Sequence, residues 1–459
     1  MTVFDELAET DGDEEFKAWL SRLIDTKLDI VNFVASRLHL TVTATFDGYL
    51  KGSFNLSLII NPGDGTPRVV IRFPKPGHTA TELREEKVRN EVHFLEFLKE
   101  KTTIPVPRVL SWGGIEESPK QLGPFIIMEF VEGMSLASLL KEPTKTEQDE
   151  VILADNVDDV KLDFVYEQLA DYMLQLSRLG FTSIGALSKD RSTNEWTVAG
   201  RPLTYNMNEL QTVVSNYPTT NFPTSPIPST KSFLDSLADE HLIHLRTQRN
   251  LADSPEDARK RFIARHRFKN LVSRYCLNDD EIGAFLPFCD DLQPTNMLAD
   301  PSTLRITAVL DWEFTNIMPA QFSYDPPWWL LLLGPDMWLE HHSMDEFKAR
   351  YVPRLEQFLN ALRRVEGRMN TRGSEEEQPL SEKMWEAWKS GRFWFDYGLR
   401  KSFDVDAVYW SALHREGDNG EAEEEDGEIK RVEVEEFVKL KMEQLKAYDA
   451  ECKVRFSSS

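Results

Sequence analysis

Cysteine is scarce in this chain: Cys276, Cys289 and Cys452 are the only three among 459 residues. Their number is odd and their spacing matches no metal-binding pattern. That argues against a disulfide framework and fits free thiols in a reducing compartment. Long apolar runs are also missing. The longest lies near WWLLLLG (328–334), far short of the ~20 residues that a membrane-spanning helix needs. The start, MTVFDELAETDGDEEF, lacks the basic and apolar regions of a secretory leader. Positive charge is in deficit: 53 Lys and Arg stand against 77 Asp and Glu, a net charge of −24. Such a surface repels nucleic acid and anionic membranes. These absences predict a cytoplasmic protein with neither nucleic acid nor membrane as a partner. The acidic excess is compatible with a cationic substrate. It serves solubility equally well, since part of it sits in one block, EGDNGEAEEEDGEI (416–429).

What is present supports a sizeable core, with 41% hydrophobic residues. The length predicts several domains, or one domain with two lobes. Up to about Leu38, helical spacing of Trp19, Leu20, Leu23, Ile24 and Leu28 predicts a helical extension over 1–40. The stretch TVTATFDGYLKGSFNLSLII (41–60) is β-rich and interrupted by Gly48 and Gly52. NPGDGTP (61–67) is a turn by composition, and VVIRF (69–73) is the next strand. Glu82–Lys99 reads as a helix whose stripe is Val88, Glu91, Val92, Leu95 and Leu98. Glu91 is out of place there, because a buried carboxylate needs a cation or strong hydrogen bonds. IPVPRVLSW (104–112) leads into another strand, and GPFIIMEFVEG (123–133) is a buried strand ending at a glycine.

Beyond Gly133 the pattern turns helical, with a long helix through Leu162, Val165, Leu169, Met173 and Leu176. A segment around 188–232, including NYPTTNFPTSPIPST, carries little periodicity and is expected as a loop or insertion. ITAVLDWEF (306–314) is a strand candidate, and a last helix is expected near Val432–Tyr448. Strands thus crowd the first third. The expectation is an α+β chain with an antiparallel-sheet lobe over 41–132 and a larger, mainly helical lobe over 133–459, not alternating βαβ units.

The chemistry concentrates in PFCDDLQPTNML (287–298). Asp291 and Asn296 lie five residues apart with Pro294 between them, and Asp311 ends an apolar strand fifteen residues after Asn296. Asn296 and Asp311 offer hard oxygen ligands of the kind Mg²⁺ prefers when nucleotide phosphates supply the rest. Asp291 remains to accept a proton from a substrate hydroxyl. Arg72 is the best-placed cation for phosphates, with Lys75 as the fallback, and Glu91 is its expected partner. Gly48 and Gly52 would let the turn DGYLKGSF lie over the phosphates. The backbone around Glu129 and Val131 joins the lobes and is the candidate for hydrogen bonds to adenine. Trp328 and Trp329 have the chemistry of a cation cage, though opening an apolar helix favours core packing. Cys289 is a poor nucleophile candidate, since acidic neighbours raise a thiol's pKa.

In order and spacing these motifs resemble the protein-kinase-like fold, specifically the aminoglycoside phosphotransferase family and its fungal members of unassigned substrate. The pattern H-x-D-x-x-x-x-N is matched by Cys289-Asp290-Asp291-Leu292-Gln293-Pro294-Thr295-Asn296, and D-[FW]-[GE] by Asp311-Trp312-Glu313. Arg72 stands for the strand cation and Glu91 for the helix acid, and the resemblance spans roughly residues 40–335. It implies a bilobal fold and ATP- and Mg²⁺-dependent phosphorylation of a hydroxylated small molecule. Asp291 would be the base, Asn296 and Asp311 the metal ligands, and Asp325 a tether for the catalytic loop. Three residues depart from the pattern. Cys289 replaces the usual His, Asp290 stands where protein kinases have Arg, and the strand cation is Arg, not Lys. They sustain a rival reading, a catalytically weak pseudokinase that binds nucleotide or a partner. The missing Arg and the long insertion oppose a protein kinase.

Overall fold

The computed structural model describes residues 4–41, 43–63, 65–143, 150–214, 217–278, 285–369, 378–401, 405–414 and 431–456. The acidic block at 416–429 lies outside them. Strands β1 (Thr45–Lys51), β2 (Asn55–Asn61), β3 (Val69–Pro74), β4 (Val109–Gly113) and β5 (Phe125–Glu129) form one sheet in the order β1-β2-β3-β5-β4. Every neighbouring pair is antiparallel.

Side chains alternate across a strand, and here both faces are covered, which is why the strands read as near-continuous apolar runs. Leu58, Ile60, Ile71, Phe73 and Ile127 pack against Trp19, Leu23, Ile30 and Val34 of α1 (Glu6–Asp25) and α2 (Lys27–Arg37). Ile59, Val70, Ile126 and Met128 pack against Val88 and Val92 of α3 (Arg84–Lys101). The N-terminal helices are therefore a structural layer of the small lobe. The Trp19 indole N–H anchors them by donating to the Leu122 carbonyl at 2.6 Å. α3 begins two residues later than expected, after a 3-10 turn at Thr81–Leu83. β5 stops at Glu129, short of Gly133.

The larger lobe is built on the helices Asp159–Leu176, Thr230–Thr247, Pro255–Asn270, Met344–Met369, Leu380–Ser390 and Arg392–Arg400. The segment 188–232 is more ordered than its composition suggests. Strands Ala186–Lys189 and Trp196–Gly200 pair antiparallel, and a helix spans Tyr205–Thr212. The closing helix, Arg431–Phe456, is longer than expected and packs Phe437 on Phe262 with ring centroids 4.9 Å apart. It also returns to the chain's start. The Glu6 backbone N–H donates to the Tyr448 hydroxyl at 2.7 Å, and Arg455 pairs with Asp11 and Glu14. Among the described residues no helix is long and apolar enough to cross a membrane.

Candidate active site

Arg72 shares the α3 side of the sheet with Val70, two residues before it. Its guanidinium pairs with Glu91 of α3 and lies 3.4 Å from Asp311 of the large lobe. The Glu91 side chain is 2% exposed, so the carboxylate that interrupted an apolar stripe has the cation its burial requires. These three residues, with Leu50, Glu129 and Val131, line a cavity of about 450 Å³ between the lobes. The backbone N–H groups of Glu129 and Phe130 donate to the Arg108 and Arg68 carbonyls at 3.1 and 3.0 Å. Those two donors are therefore engaged before any ligand arrives.

Two expectations for this side differ from what is found. Gly48 and Gly52 are not among the residues lining the cavity. Gly48 lies inside β1 beside a register shift, and a Cβ there would sit 3.8 Å from Ile59 Cδ1, an ordinary contact. Lys75, the fallback cation, is buried, and its ammonium donates to the Gly52 and Ser53 carbonyls at 3.1 and 2.8 Å. It fastens the β1–β2 turn; the prolines around it pointed only to a loop.

The segment with Asp291 runs between strands Leu286–Phe288 and Met297–Ala299. Leu292 is buried, and Pro294 starts a 3-10 turn over Pro294–Asn296. The turn brings the Asn296 amide to Asp291, with Nδ2 donating to Oδ2 at 2.6 Å and to the Asp291 carbonyl at 3.1 Å. Gln293 donates to the other carboxylate oxygen. The strand Met297–Ala299 then pairs with Ile306–Val309, and the Leu310 N–H donates to the Asn296 carbonyl at 2.8 Å. A hairpin thus sets Asn296 beside the residue that precedes Asp311. Asp311 itself is left-handed, with φ +63°, as is Phe314 at +56°. Non-glycine residues in this region are strained, and such strain collects at functional sites.

Burial, and then the Glu313 charge, push the Asp311 carboxyl above its ordinary range, while Arg72 pulls it down. Burial also raises Asp291, opposed by the hydrogen bonds from Asn296 and Gln293. The donor chemistry fits Mg²⁺. With Nδ2 turned to Asp291, the Asn296 oxygen is the end left for a cation, and Asp311 adds a carboxylate that keeps 31% exposure. Mg²⁺ commonly takes one or two protein oxygens and draws the rest from phosphates and water. Among the described residues no group of three or more His, Cys, Asp or Glu forms a metal cage.

The departures from the expected pattern have physical solutions. Cys289 is buried, and burial drives its thiol pKa far up, so it is no nucleophile. Asp290 accepts from Arg400 Nε at 3.0 Å, and Arg400 Nη1 donates to Asp325 at 3.1 Å. Asp325 therefore reaches the loop through Arg400. Trp329 is core at 4% exposure, whereas Trp328 donates to the Asp290 carbonyl at 3.0 Å and borders a second cavity.

That cavity, about 260 Å³, is lined by Asp291, Asp290 and Glu313 among aromatic side chains that include Phe54, Phe288 and Phe314. Behind Glu313 stands a cluster that sequence reading missed. The fully buried Lys87 ammonium pairs with Glu313 and donates to Asn55 Oδ1 at 2.9 Å, and Asn55 Nδ2 donates to Glu313 at 2.8 Å. Lys87 precedes Glu91 by four residues on the same helix face, a signal that could have flagged it. Arg400 gave no such signal.

The model of the phosphotransferase enzyme family matches residues 52–189. The matched stretch contains Arg72, Glu91, Glu129 and Val131 and ends ahead of Asp291. The resemblance to aminoglycoside phosphotransferases is borne out over that stretch. Among curated proteins the chain is similar to altered inheritance of mitochondria protein 9, mitochondrial, of Debaryomyces hansenii. Identity there is 23% over 302 residues, 56% of this chain and 45% of that protein. It is also similar to clavilactone A biosynthesis cluster protein Y of Ampulloclitocybe clavipes, at 25% identity over 304 residues, 63% and 65% of the two chains. The matches span less than two thirds of either relative. Among solved structures, a thermostable mutant of aminoglycoside phosphotransferase APH(4)-Ia in ternary complex with AMP-PNP and hygromycin B is similar over 84% of this chain and 99% of that one. Identity is 14% and the TM-score 0.42.

Proposed function

Starting from the match to the phosphotransferase enzyme family, we propose that the protein transfers the γ-phosphoryl group of ATP, with Mg²⁺, to the hydroxyl of a small molecule. One observation carries the reading. Arg72 and Asp311 line one cavity, Asp291 lines a second, and Asn296 links them through its side-chain bond to Asp291 and its backbone bond to Leu310. Nucleotide would occupy the first cavity and the acceptor the second.

In this reading Arg72, held by Glu91, steadies the phosphates, and the segment around Glu129 and Val131 meets the adenine. Asn296 and Asp311 hold Mg²⁺, which when bound supplies positive charge against the phosphate oxygens. Asp291 orients the acceptor hydroxyl and takes its proton. The hydroxyl oxygen bonds to the γ-phosphorus as the bond to the bridging oxygen of ADP breaks. Transfer then rests on positioning and charge more than on covalent catalysis. The raised pKa of Asp291 suits a proton acceptor, since a base works best with a pKa near the operating pH. Cys276, Cys289 and Cys452 stand outside any disulfide, which supports a cytoplasmic setting.

The test joins binding to turnover. Mg²⁺–ATP at ~100 times its Kd should stabilise the fold by on the order of 3 kcal/mol, and transfer should be measurable against a panel of hydroxylated metabolites. Asp311→Asn is expected to weaken the Mg²⁺-dependent part of the shift. A protein whose melting is indifferent to Mg²⁺–ATP does not have this function.

A further inference from the structure

The acceptor cavity contains an amine already. The Lys401 ammonium lies 5.5 Å from the centre of the Trp328 ring, 5.7 Å from Tyr397 and 5.9 Å from Tyr205. The Asp290 carboxylate lies 3.7 Å from it. Aromatic faces and an acid around an ammonium are how proteins recognise cationic amines. In this protein the cation so held belongs to the protein itself. Lys401, Trp328, Tyr397 and Tyr205 all line the same cavity as Asp291.

The other acids of that wall are also engaged. Asp290 takes a second cation, Arg400, at 3.0 Å, and Glu313 is paired with buried Lys87. Asp336 accepts from the Tyr397 hydroxyl, and both oxygens of Asp291 accept amide N–H groups. An acceptor's ammonium entering here would lose water, meet no carboxylate free of a hydrogen-bond or ion-pair partner, and stand beside the like charge of Lys401. The remaining surface is mainly apolar side chains, among them Phe54, Phe288, Phe314 and Met318, with Thr204, Asn206 and Gln293 as its neutral polar groups.

Building on the function proposed above, we infer that Lys401 occupies the amine subsite of its own cavity. The acceptor is therefore a compact alcohol with an aromatic or alicyclic body and no amino group, neutral or bearing a carboxylate. This replaces the expectation of a cationic substrate drawn from the net charge.

The test uses the full chain and two acceptor panels at matched concentrations. One holds aryl alcohols, cyclic diols and hydroxyaryl acids; the other holds ethanolamine, choline and hygromycin B. Transfer of labelled γ-phosphate is expected to favour the best amine-free acceptor at least tenfold in kcat/KM. Choline binding, read by calorimetry with Mg²⁺–ADP present, is expected to tighten at least tenfold in Lys401→Gln, which empties the aromatic box of charge. Lys401→Arg, which keeps the charge, should leave choline excluded and guards against a folding defect in the first variant. Preferred transfer to an amine, or choline affinity equal in wild type and a folded Lys401→Gln, overturns the inference. The binding comparison needs no turnover, so it decides the acceptor class even if no panel member is phosphorylated. Loss of the Mg²⁺–ATP melting shift would instead sink the parent function.

Discussion

The Arg72 guanidinium stands between Glu91, which is sealed under α3, and Asp311, 3.4 Å away on the opposite lobe. One cation thereby serves an acid of each lobe. Removing it should act on two quantities that can be read separately. Arg72→Met strands the Glu91 carboxylate, and breaking a buried pair from one side typically destabilises by about 3–5 kcal/mol. It also removes the cation proposed to steady the phosphates. The double variant Arg72→Met/Glu91→Leu should regain most of the stability, because a buried pair replaced by apolar groups is often neutral. It should not regain nucleotide affinity. Denaturant melts and calorimetric Kd for ATP check both halves, and wild-type affinity in the double variant would remove Arg72 from the nucleotide site.

Asp291→Asn keeps the shape of the loop and deletes the charge. Turnover should fall by roughly 10²–10⁴-fold, the usual weight of a positioned acid or base, with ATP affinity unchanged. Because the Asn296 and Gln293 amides both donate to Asp291, the new amide must turn its oxygen to one and leave the other unpaired. Asp291→Ala, which leaves room for water, is the control for that rearrangement. Unchanged turnover in both variants would mean that the proton goes elsewhere.

The pH dependence follows from Asp311. Burial and then Glu313 raise it above the ordinary 3.8, with Arg72 pulling the other way. A carboxylate must be ionised to hold Mg²⁺, so Mg²⁺–nucleotide affinity should weaken as pH falls through the raised value, by up to about tenfold per unit, with a proton released on binding. The sign for the unliganded protein is opposite. A raised folded-state pKa means that the native chain holds the proton longer than the unfolded one. This contribution to stability is present below the unfolded value and is lost as pH rises through the folded value. Asp311→Asn should flatten both profiles. Affinity independent of pH between the two values would dismiss Asp311 as the ligand.

Arg400 is expected to be a positioning residue. It is 8% exposed, bridges Asp290 and Asp325, and lies over the Phe288 and Phe322 rings at 4.9 and 4.8 Å. Arg400→Met leaves Asp325, itself 3% exposed, without the cation that hydrogen-bonds to it. A loss of about 3–5 kcal/mol is expected. Arg400→Lys should restore part of it, since an ammonium lacks the planar fork that spans two acids. A purely structural role would leave kcat intact in the folded fraction. A lowered kcat with unchanged ATP Kd, partly rescued by Lys, is the expected signature of a tether for the Asp291 loop.

How much of this was legible depended on distance along the chain. The sheet and α3 announced themselves, because the strands are apolar on both faces and α3 carries Val88, Val92 and Leu95 at helical spacing. The Asp291–Asn296–Asp311 spacing was legible because one loop and one hairpin set it. Arg400 reaches Asp290 from 110 residues away, and no local pattern encodes such a meeting. Lys401 was hidden for the same reason, and its charge counted only as part of a total. The strand at Trp196–Gly200 escaped because it is short and only half-buried, laying just Trp196 and Val198 on the core. The role of α1 and α2 was half legible: amphipathic spacing shows that a face must be buried, not which surface buries it.

The Lys87–Glu313 pair joins the stability of the lobes to the chemistry of Asp311. Lys87 is fully enclosed, and burial lowers its pKa while Glu313 holds it up. Burial pushes Glu313 up, but the Lys87 charge, together with Arg72 and the hydrogen bonds from Lys87 and Asn55, outweighs it and keeps that carboxyl below its usual range. Lys87→Met alone should destabilise strongly, by about 3–5 kcal/mol, because Glu313 then remains charged and enclosed. Lys87→Met/Glu313→Leu should recover that loss. The double variant also removes two influences on Asp311 that oppose each other, and the upward one from Glu313 outweighs the downward one from Lys87. Asp311 should therefore titrate lower, and the pH midpoint of Mg²⁺–nucleotide binding should move down with it, even as stability returns. Calorimetric titrations across pH on the two proteins read this directly. A midpoint that stays put or rises would mean that Glu313 does not set the charge of Asp311.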